Sequence, residues 1–122
     1  MARVLIVDDD QADRIILGRI LEGAGHDVYL ISDDEEALKS RLKMSIDVVV
    51  TDLQMPKVHG LELITMLRTL YPEAGIIAVS ATGSDQLDMA EAVGANVTLS
   101  KPVDPDELVE AVAKAVSEAG RP

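Results

Sequence analysis

The chain has 122 residues, 22 acidic side chains against 11 lysines and arginines, a formal net charge of −11, and 48% hydrophobic residues. That length suits one domain with a real core, and the apolar content excludes a disordered acidic tail. The absence of cysteine excludes disulfide scaffolds, thiolate zinc sites and thiol catalysis, and the acidic balance argues against nucleic acid as a direct partner, because duplex binding rests on Lys and Arg.

Residues 3–8 open the pattern with Val4-Leu5-Ile6-Val7, a continuous apolar run expected of a strand buried on both faces. Ile16, Leu17, Ile20 and Leu21 follow as one helical stripe, and Gly23-Ala24-Gly25 reads as its stop. A second strand over 27–31 leads to Ser32 and Glu35, which fit a capping box for the next helix. The third strand, 46–51, contains Val48-Val49-Val50. Leu63, Ile64, Leu67 and Leu70 then form a stripe that stops at Tyr71-Pro72. Strands over 76–80 and 96–99 flank a helix near 84–93 with a weaker stripe (Leu87, Ala90, Val93), closed by Gly94. Asp104-Pro105-Asp106-Glu107 puts a cap, an N1 proline and acids at the positive end of the last helix, whose stripe is Leu108, Val109, Val112 and Val116. No apolar run approaches the roughly 20 residues that cross a bilayer. Strict βα alternation predicts an α/β fold, a five-stranded parallel sheet with helices on both faces. The expectation is one domain over 1–122, cytoplasmic, with no membrane partner.

In such a sheet ligands bind outside the carboxyl ends of the strands. Strand 1 ends in Asp8-Asp9-Asp10, strand 3 in Asp52, strand 4 in Ser80-Ala81-Thr82 and strand 5 in Ser100-Lys101-Pro102. Taken singly, each has a bland reading: Asp10 a helix cap, Asp52 a loop acid, Ser80 a strand-end hydroxyl, Lys101 a solvated lysine. Their placement on one rim gives them chemistry. Two carboxylates about 4 Å apart repel by roughly 4 kcal/mol at an effective dielectric near 20. A hard divalent cation relieves this, and Mg²⁺ favours a few carboxylates plus water. One carboxylate can then act as nucleophile or phosphoryl acceptor, with Lys101 and a hydroxyl serving the phosphoryl oxygens. His26 and His59 read as turn and loop residues, and Met44, Met55, Met66 and Met89 as core or loop filling. Phosphate-cradling glycine loops are absent.

Over essentially its full length the sequence resembles a response-regulator receiver domain of two-component signalling. The matching stretches are Val4-Leu5-Ile6-Val7-Asp8-Asp9-Asp10, then Val48-Val49-Val50-Thr51-Asp52-Leu53-Gln54-Met55-Pro56 with Gly60. Ala78-Val79-Ser80-Ala81, Gly94-Ala95 and Ser100-Lys101-Pro102 complete them. The resemblance implies a flavodoxin-like three-layer sandwich with strand order 2-1-3-4-5. It implies that Asp52 is the phosphoacceptor, taking its phosphoryl group from the phosphohistidine of a sensor histidine kinase or phosphotransfer protein. Mg²⁺ would be held by Asp9, Asp52 and the Gln54 backbone carbonyl, and by Asp8 through water. Ser80 would hydrogen-bond the phosphoryl group and Lys101 would pair with it. Gln54 and Thr82 would tune self-dephosphorylation. The domain would catalyse its own phosphotransfer without being an ordinary enzyme, and would switch conformation to control an output partner or domain. The Lys101–Pro102 peptide is often cis in this family, whereas the intrinsic preference of an X–Pro bond is trans.

Three positions depart from the family pattern: Thr98 stands where many receivers carry an aromatic, Val103 where Phe is common, and His59 where an acid or Asn precedes Gly60. They bear on the output surface, including a possible homodimer through the 84–93 helix, the last strand and the last helix. Two rival readings stay open at this point. A phosphohydrolase of the haloacid-dehalogenase type also opens with an apolar strand and Asp-x-Asp, with Asp8 as its nucleophile, but needs a longer chain and a late acidic pair. A receiver-shaped interaction module would work without phosphorylation.

Overall fold

The computed structural model describes residues 2–31, 45–53, 60–81, 86–92 and 94–118. Its elements in chain order are β1 (Arg3–Val7), α1 (Gln11–Gly23), β2 (Asp27–Ile31), β3 (Val48–Asp52), α2 (Gly60–Leu70), β4 (Gly75–Ala81), α3 (Gln86–Ala92), β5 (Val97–Lys101) and α4 (Pro105–Glu118). The strands form one five-stranded sheet in the order β2-β1-β3-β4-β5, every pairing parallel. This is the expected α/β sandwich. The Ser32–Glu35 capping box lies outside the described residues, as do Met44, Met55 and His59.

Side-chain alternation explains the continuous apolar strands. Leu5, Val7, Val49, Ile76 and Ala78 point to the face covered by Leu63, Ile64 and Leu67 of α2 and Ala90 of α3. Val4, Ile6, Val48, Val50, Ile77 and Val79 point to the other, against Leu17 and Leu21 of α1 and Leu108, Ala111, Val112 and Ala115 of α4. A parallel sheet covered on both sides has no polar face to show.

Strand ends differ from the expected ones where pairing outruns hydropathy. The third strand starts at Val48 rather than Ile46; Asp47 before it donates its N–H to the Arg3 carbonyl at 2.9 Å while its carboxylate accepts from the Arg3 N–H at 2.8 Å. Asn96 leaves strand 5 because its Oδ1 accepts from the Ile76 N–H at 2.8 Å. At the other end, pairing of Ser80 with Ser100 and of Ala81 with Lys101 carries β5 on to Lys101. Lys101 therefore sits on the strand and not in the loop after it.

The expected stripes largely face the core, with Leu17, Leu21, Leu63, Ile64, Leu67, Ala90, Leu108 and Val112 buried, but not at their edges. Ile16 is 56% exposed, Val116 42% and Met89 53%, so none of the three fills the core. Ile16 instead lines a groove of about 450 Å³ with Leu17, Ile20, Pro102 and Val103. Small residues take the inner positions: Ala111 and Ala115 are buried on α4. His26 is a structural acceptor, its Nδ1 taking the Ala2 N–H at 3.0 Å. The expected helix stops stand, with Gly25 at φ +92° and Gly94 at φ +126°, where a Cβ is disfavoured.

Caps fall where the sequence put them. Asp10 is the N-cap of α1, accepting from the Asp13 N–H at 3.1 Å. Asp104 accepts from the N–H groups of Asp106 at 2.8 Å and Glu107 at 3.2 Å, satisfying two donors at the start of α4. We expect Asp104→Ala to cost about 1 kcal/mol in urea denaturation; a cost below about 0.3 kcal/mol would mean that solvent serves those N–H groups equally well.

Candidate functional site

Because all five strands run parallel, their carboxyl ends share one rim. β1 delivers Asp8 and Asp9 there, β3 ends on Asp52, β4 brings Ser80, and β5 ends on Lys101. Asp8, Asp52 and Ser80 are buried, at 1%, 5% and 0% exposure, while Asp9 is exposed. The carboxylates of Asp8, Asp9 and Asp52 each place an oxygen within 4.8 Å of the others. The Lys101 ammonium donates to Asp52 Oδ2 at 2.8 Å and to Asp13 Oδ2 at 3.0 Å, with Asp8 Oδ2 at 3.7 Å.

Local hydrogen bonds fix this arrangement. Asp8 Oδ1 accepts from the Asp10 N–H at 2.9 Å, and the Arg14 guanidinium donates to the Asp8 carbonyl. Asp8 Oδ2 and Ser80 Oγ are buried with no hydrogen-bond partner among the described residues. Leaving buried polar atoms unsatisfied costs about 1–3 kcal/mol each. Both lie on the rim that carries Asp52. An acceptor-only oxygen fits a cation, and a hydroxyl donor fits an anion's oxygen.

Electrostatics agree. Burial pushes the Asp8 carboxyl up to about 6, against the Asp10 N–H, which lowers it, and with the Asp52 charge, which raises it further. Burial alone would lower the Lys101 ammonium, yet its hydrogen bonds to Asp52 and Asp13 outweigh that, and its pKa is raised. The lysine is held charged, and the carboxylate cluster is under repulsion that a divalent cation would relieve.

Five of the seven expected site residues are thus brought together: Asp8, Asp9, Asp52, Ser80 and Lys101. Asp10 is a cap. Gln54 and Thr82 lie outside the described residues. Thr98 is half-buried on β5, opposite Ala78, and Val103 packs against the α1–α4 side of the core. The Lys101–Pro102 peptide is cis.

Sequence reasoning missed Asp13, Arg14 and Arg68. Asp13 and Arg14 sit in the first turn of α1, where acids and bases are ordinary surface choices, so no signal marked them. Arg68 bridges the carbonyls of Ala74 at 2.6 Å and Gly94 at 2.8 Å and Asn96 Oδ1 at 3.0 Å, stapling α2 to the turn before β5. Burial lowers its pKa, and those carbonyl oxygens stand in for water.

A parallel α/β sandwich that gathers three carboxylates, a hydroxyl and a lysine at the carboxyl ends of its strands has the groups to hold a cation and an anionic oxygen ligand side by side. The family model for the response regulator receiver domain matches residues 4–113. Chemotaxis protein CheY of Thermotoga maritima is 35% identical over 92% of this chain and 95% of its own length. The sensory/regulatory protein RpfC of Xanthomonas campestris is 32% identical over 91% of this chain, which spans only 16% of that protein. The beryllofluoride-activated NtrC4 receiver domain dimer superposes with a TM-score of 0.85 at 28% identity, covering 97% of this chain and 98% of that one. The chain belongs to the response regulator receiver domain family, whose members are phosphoacceptor modules of two-component signal transduction that control an output. Receiver domains bind Mg²⁺ at an acidic cluster, interact with sensor kinases and output domains, and are not enzymes in the ordinary sense. No described helix is long and apolar enough to cross a membrane.

Proposed function

We propose that Asp52 is the phosphoacceptor of this receiver, taking a phosphoryl group from the phosphohistidine of a sensor kinase or phosphotransfer protein. The observation that carries this reading is the pair of buried atoms on the Asp52 rim, Asp8 Oδ2 and Ser80 Oγ, that have no hydrogen-bond partner among the described residues. A carboxylate oxygen of Asp52 bonds to phosphorus as the donor's P–N bond breaks. Lys101, already 2.8 Å from Asp52 Oδ2, pairs with the transferred group, and the Ser80 hydroxyl donates to one of its oxygens. Asp8, Asp9 and Asp52, with the Gln54 carbonyl, would hold Mg²⁺, Asp8 through water. When bound, the ion neutralises charge that builds up on the phosphoryl oxygens. Gln54 and Thr82 would govern access of water to the acyl phosphate, and so the self-dephosphorylation rate.

Phosphorylation would shift a two-state equilibrium toward the conformation in which Ser80 and Lys101 close on the phosphoryl group. Residues 1–122 would act as one cytoplasmic receiver domain controlling a partner or output domain without binding nucleic acid or membrane. Homodimerisation through the α3–β5–α4 face is the arrangement to test first, since a structurally similar receiver, that of NtrC4, forms a dimer in its activated state.

The test is intact mass after incubation with acetyl phosphate, with and without Mg²⁺, on wild type and Asp52→Ala. A single phosphoryl adduct requiring both Mg²⁺ and Asp52 is expected. An adduct that survives Asp52→Ala would mean a different acceptor, and none on folded wild type would favour an interaction module.

A further inference from the structure

Asp13 occupies the third position of α1, where an acid is ordinarily explained by the helix dipole or by a capping box reaching back to the N-cap N–H. Here that N–H, of Asp10, is taken by Asp8 Oδ1 at 2.9 Å. The Asp13 carboxylate turns to the Lys101 ammonium at 3.0 Å, joining residues 88 positions apart. It lies at the outer edge of the site, 40% exposed, while Asp52 and Asp8 hold the same ammonium from the buried side.

We infer that Asp13 is a positioning residue for phosphotransfer: it acts through Lys101, anchoring the ammonium at the rim so that it can receive the incoming phosphoryl oxygen. This rests on the reading of Asp52 as phosphoacceptor. Lysine carries three donors on a flexible four-carbon stem. Without an outer partner, the ammonium is drawn onto Asp52 and Asp8, the groups needed as nucleophile and as cation ligand. With Asp13 in place, one N–H stays on Asp13 and another is free to turn from Asp52 to the phosphoryl group. When acetyl phosphate is the donor, the Asp52 oxygen bonds to phosphorus, the P–O bond breaks, and acetate leaves with the electron pair. Lys101 then meets the transferred oxygens without first having to be reordered.

The test is the rate of adduct formation by intact mass across a range of acetyl phosphate concentrations at saturating Mg²⁺. The proteins are wild type, Asp13→Ala, Asp13→Asn, Lys101→Ala, the double variant Asp13→Ala/Lys101→Ala, and Asp52→Ala. Asp13→Ala is expected to lower the maximal rate about fivefold, a size suited to a half-exposed partner in a charge network. Asp13→Asn, which keeps an acceptor oxygen, should recover part of that loss. In the Lys101→Ala background the Asp13 substitution should change nothing. A capping or dipole role at α1 would instead lower the melting temperature, leave the maximal rate intact and be indifferent to Lys101. An unchanged maximal rate in Asp13→Ala, or the same loss with Lys101 absent, overturns the inference while wild type and Asp52→Ala still behave as a receiver. An adduct on Asp52→Ala, or none on wild type, overturns the receiver reading itself.

Discussion

In EDTA at pH 7, Asp8→Asn is expected to melt about 10 °C above wild type, although it removes a residue of the proposed metal site. Asp8 is 1% exposed, and burial above all pushes its carboxyl up to about 6 from 3.8. The folded protein therefore holds a proton on Asp8 between those values while the unfolded chain has lost it. Stability from this group is fully present below pH 3.8, falls as pH rises through 6, and is missing at pH 7. The span corresponds to something on the order of 3 kcal/mol. Asparagine keeps an oxygen for the Asp10 N–H and has no charge to bury. In Mg²⁺ at ten times the dissociation constant the gap is expected to narrow by about half, because wild type would gain about 1.4 kcal/mol. Melting curves from pH 4.5 to 7.5, with EDTA or Mg²⁺, separate the two contributions. A full Mg²⁺ response in Asp8→Asn, or in Asp9→Ala, would move the cation away from this cluster. The native aspartate thus lowers the stability of the metal-free fold, as expected where charged groups are gathered for function.

Gly75→Ala is expected to cost about 3 kcal/mol, the upper part of the range for overpacking. Gly75 begins β4 and is hydrogen-bonded to the Asp47 carbonyl at 2.9 Å. A Cβ there would lie 2.7 Å from the Ala115 carbonyl oxygen and 2.8 Å from its Cβ. Both atoms belong to or sit directly on the α4 backbone, so no side chain can turn aside; the helix itself must move off the sheet. That shift would loosen Leu108, Ala111 and Val112, buried on the same helix. Gly23→Ala is the control. It ends α1 with nothing within 4 Å of its would-be Cβ, and should be neutral or up to about 1 kcal/mol stabilising. Urea midpoints at unchanged slope measure both. Wild-type stability for Gly75→Ala would show that α4 packs less tightly on β4 than these distances describe.

Much of the site could be read before any coordinate was known. Parallel strands must end on one rim, so an Asp pair after β1, an Asp ending β3, a Ser on β4 and a Lys closing β5 had to converge. The caps at Asp10 and Asp104 and the stops at Gly25 and Gly94 are local backbone chemistry, legible within a few residues. The order of the strands came from resemblance to a known family, since hydropathy alone specifies only that they are parallel.

The rest depended on three-dimensional packing. Helix stripes in the sequence are wide enough to admit several rotations, and the close approach of α4 to Gly75 selects Ala111 and Ala115 for the inner face and turns Val116 outward. Strand ends are set by the neighbouring strand's hydrogen bonds, which is why β5 reaches Lys101. The bond from Lys101 to Asp13 and the bonds from Arg68 to Gly94 and Asn96 join residues far apart in the chain, and charge patterns carry no record of which distant partner a surface side chain will meet. Periodicity and turn chemistry determined by themselves the class of fold and the side chains that meet on its carboxyl-end rim. Only the tertiary structure decided which carboxylates are buried, which buried atoms lack a hydrogen-bond partner among the described residues and which acids hold the lysine, because those are properties of distance and solvent exclusion.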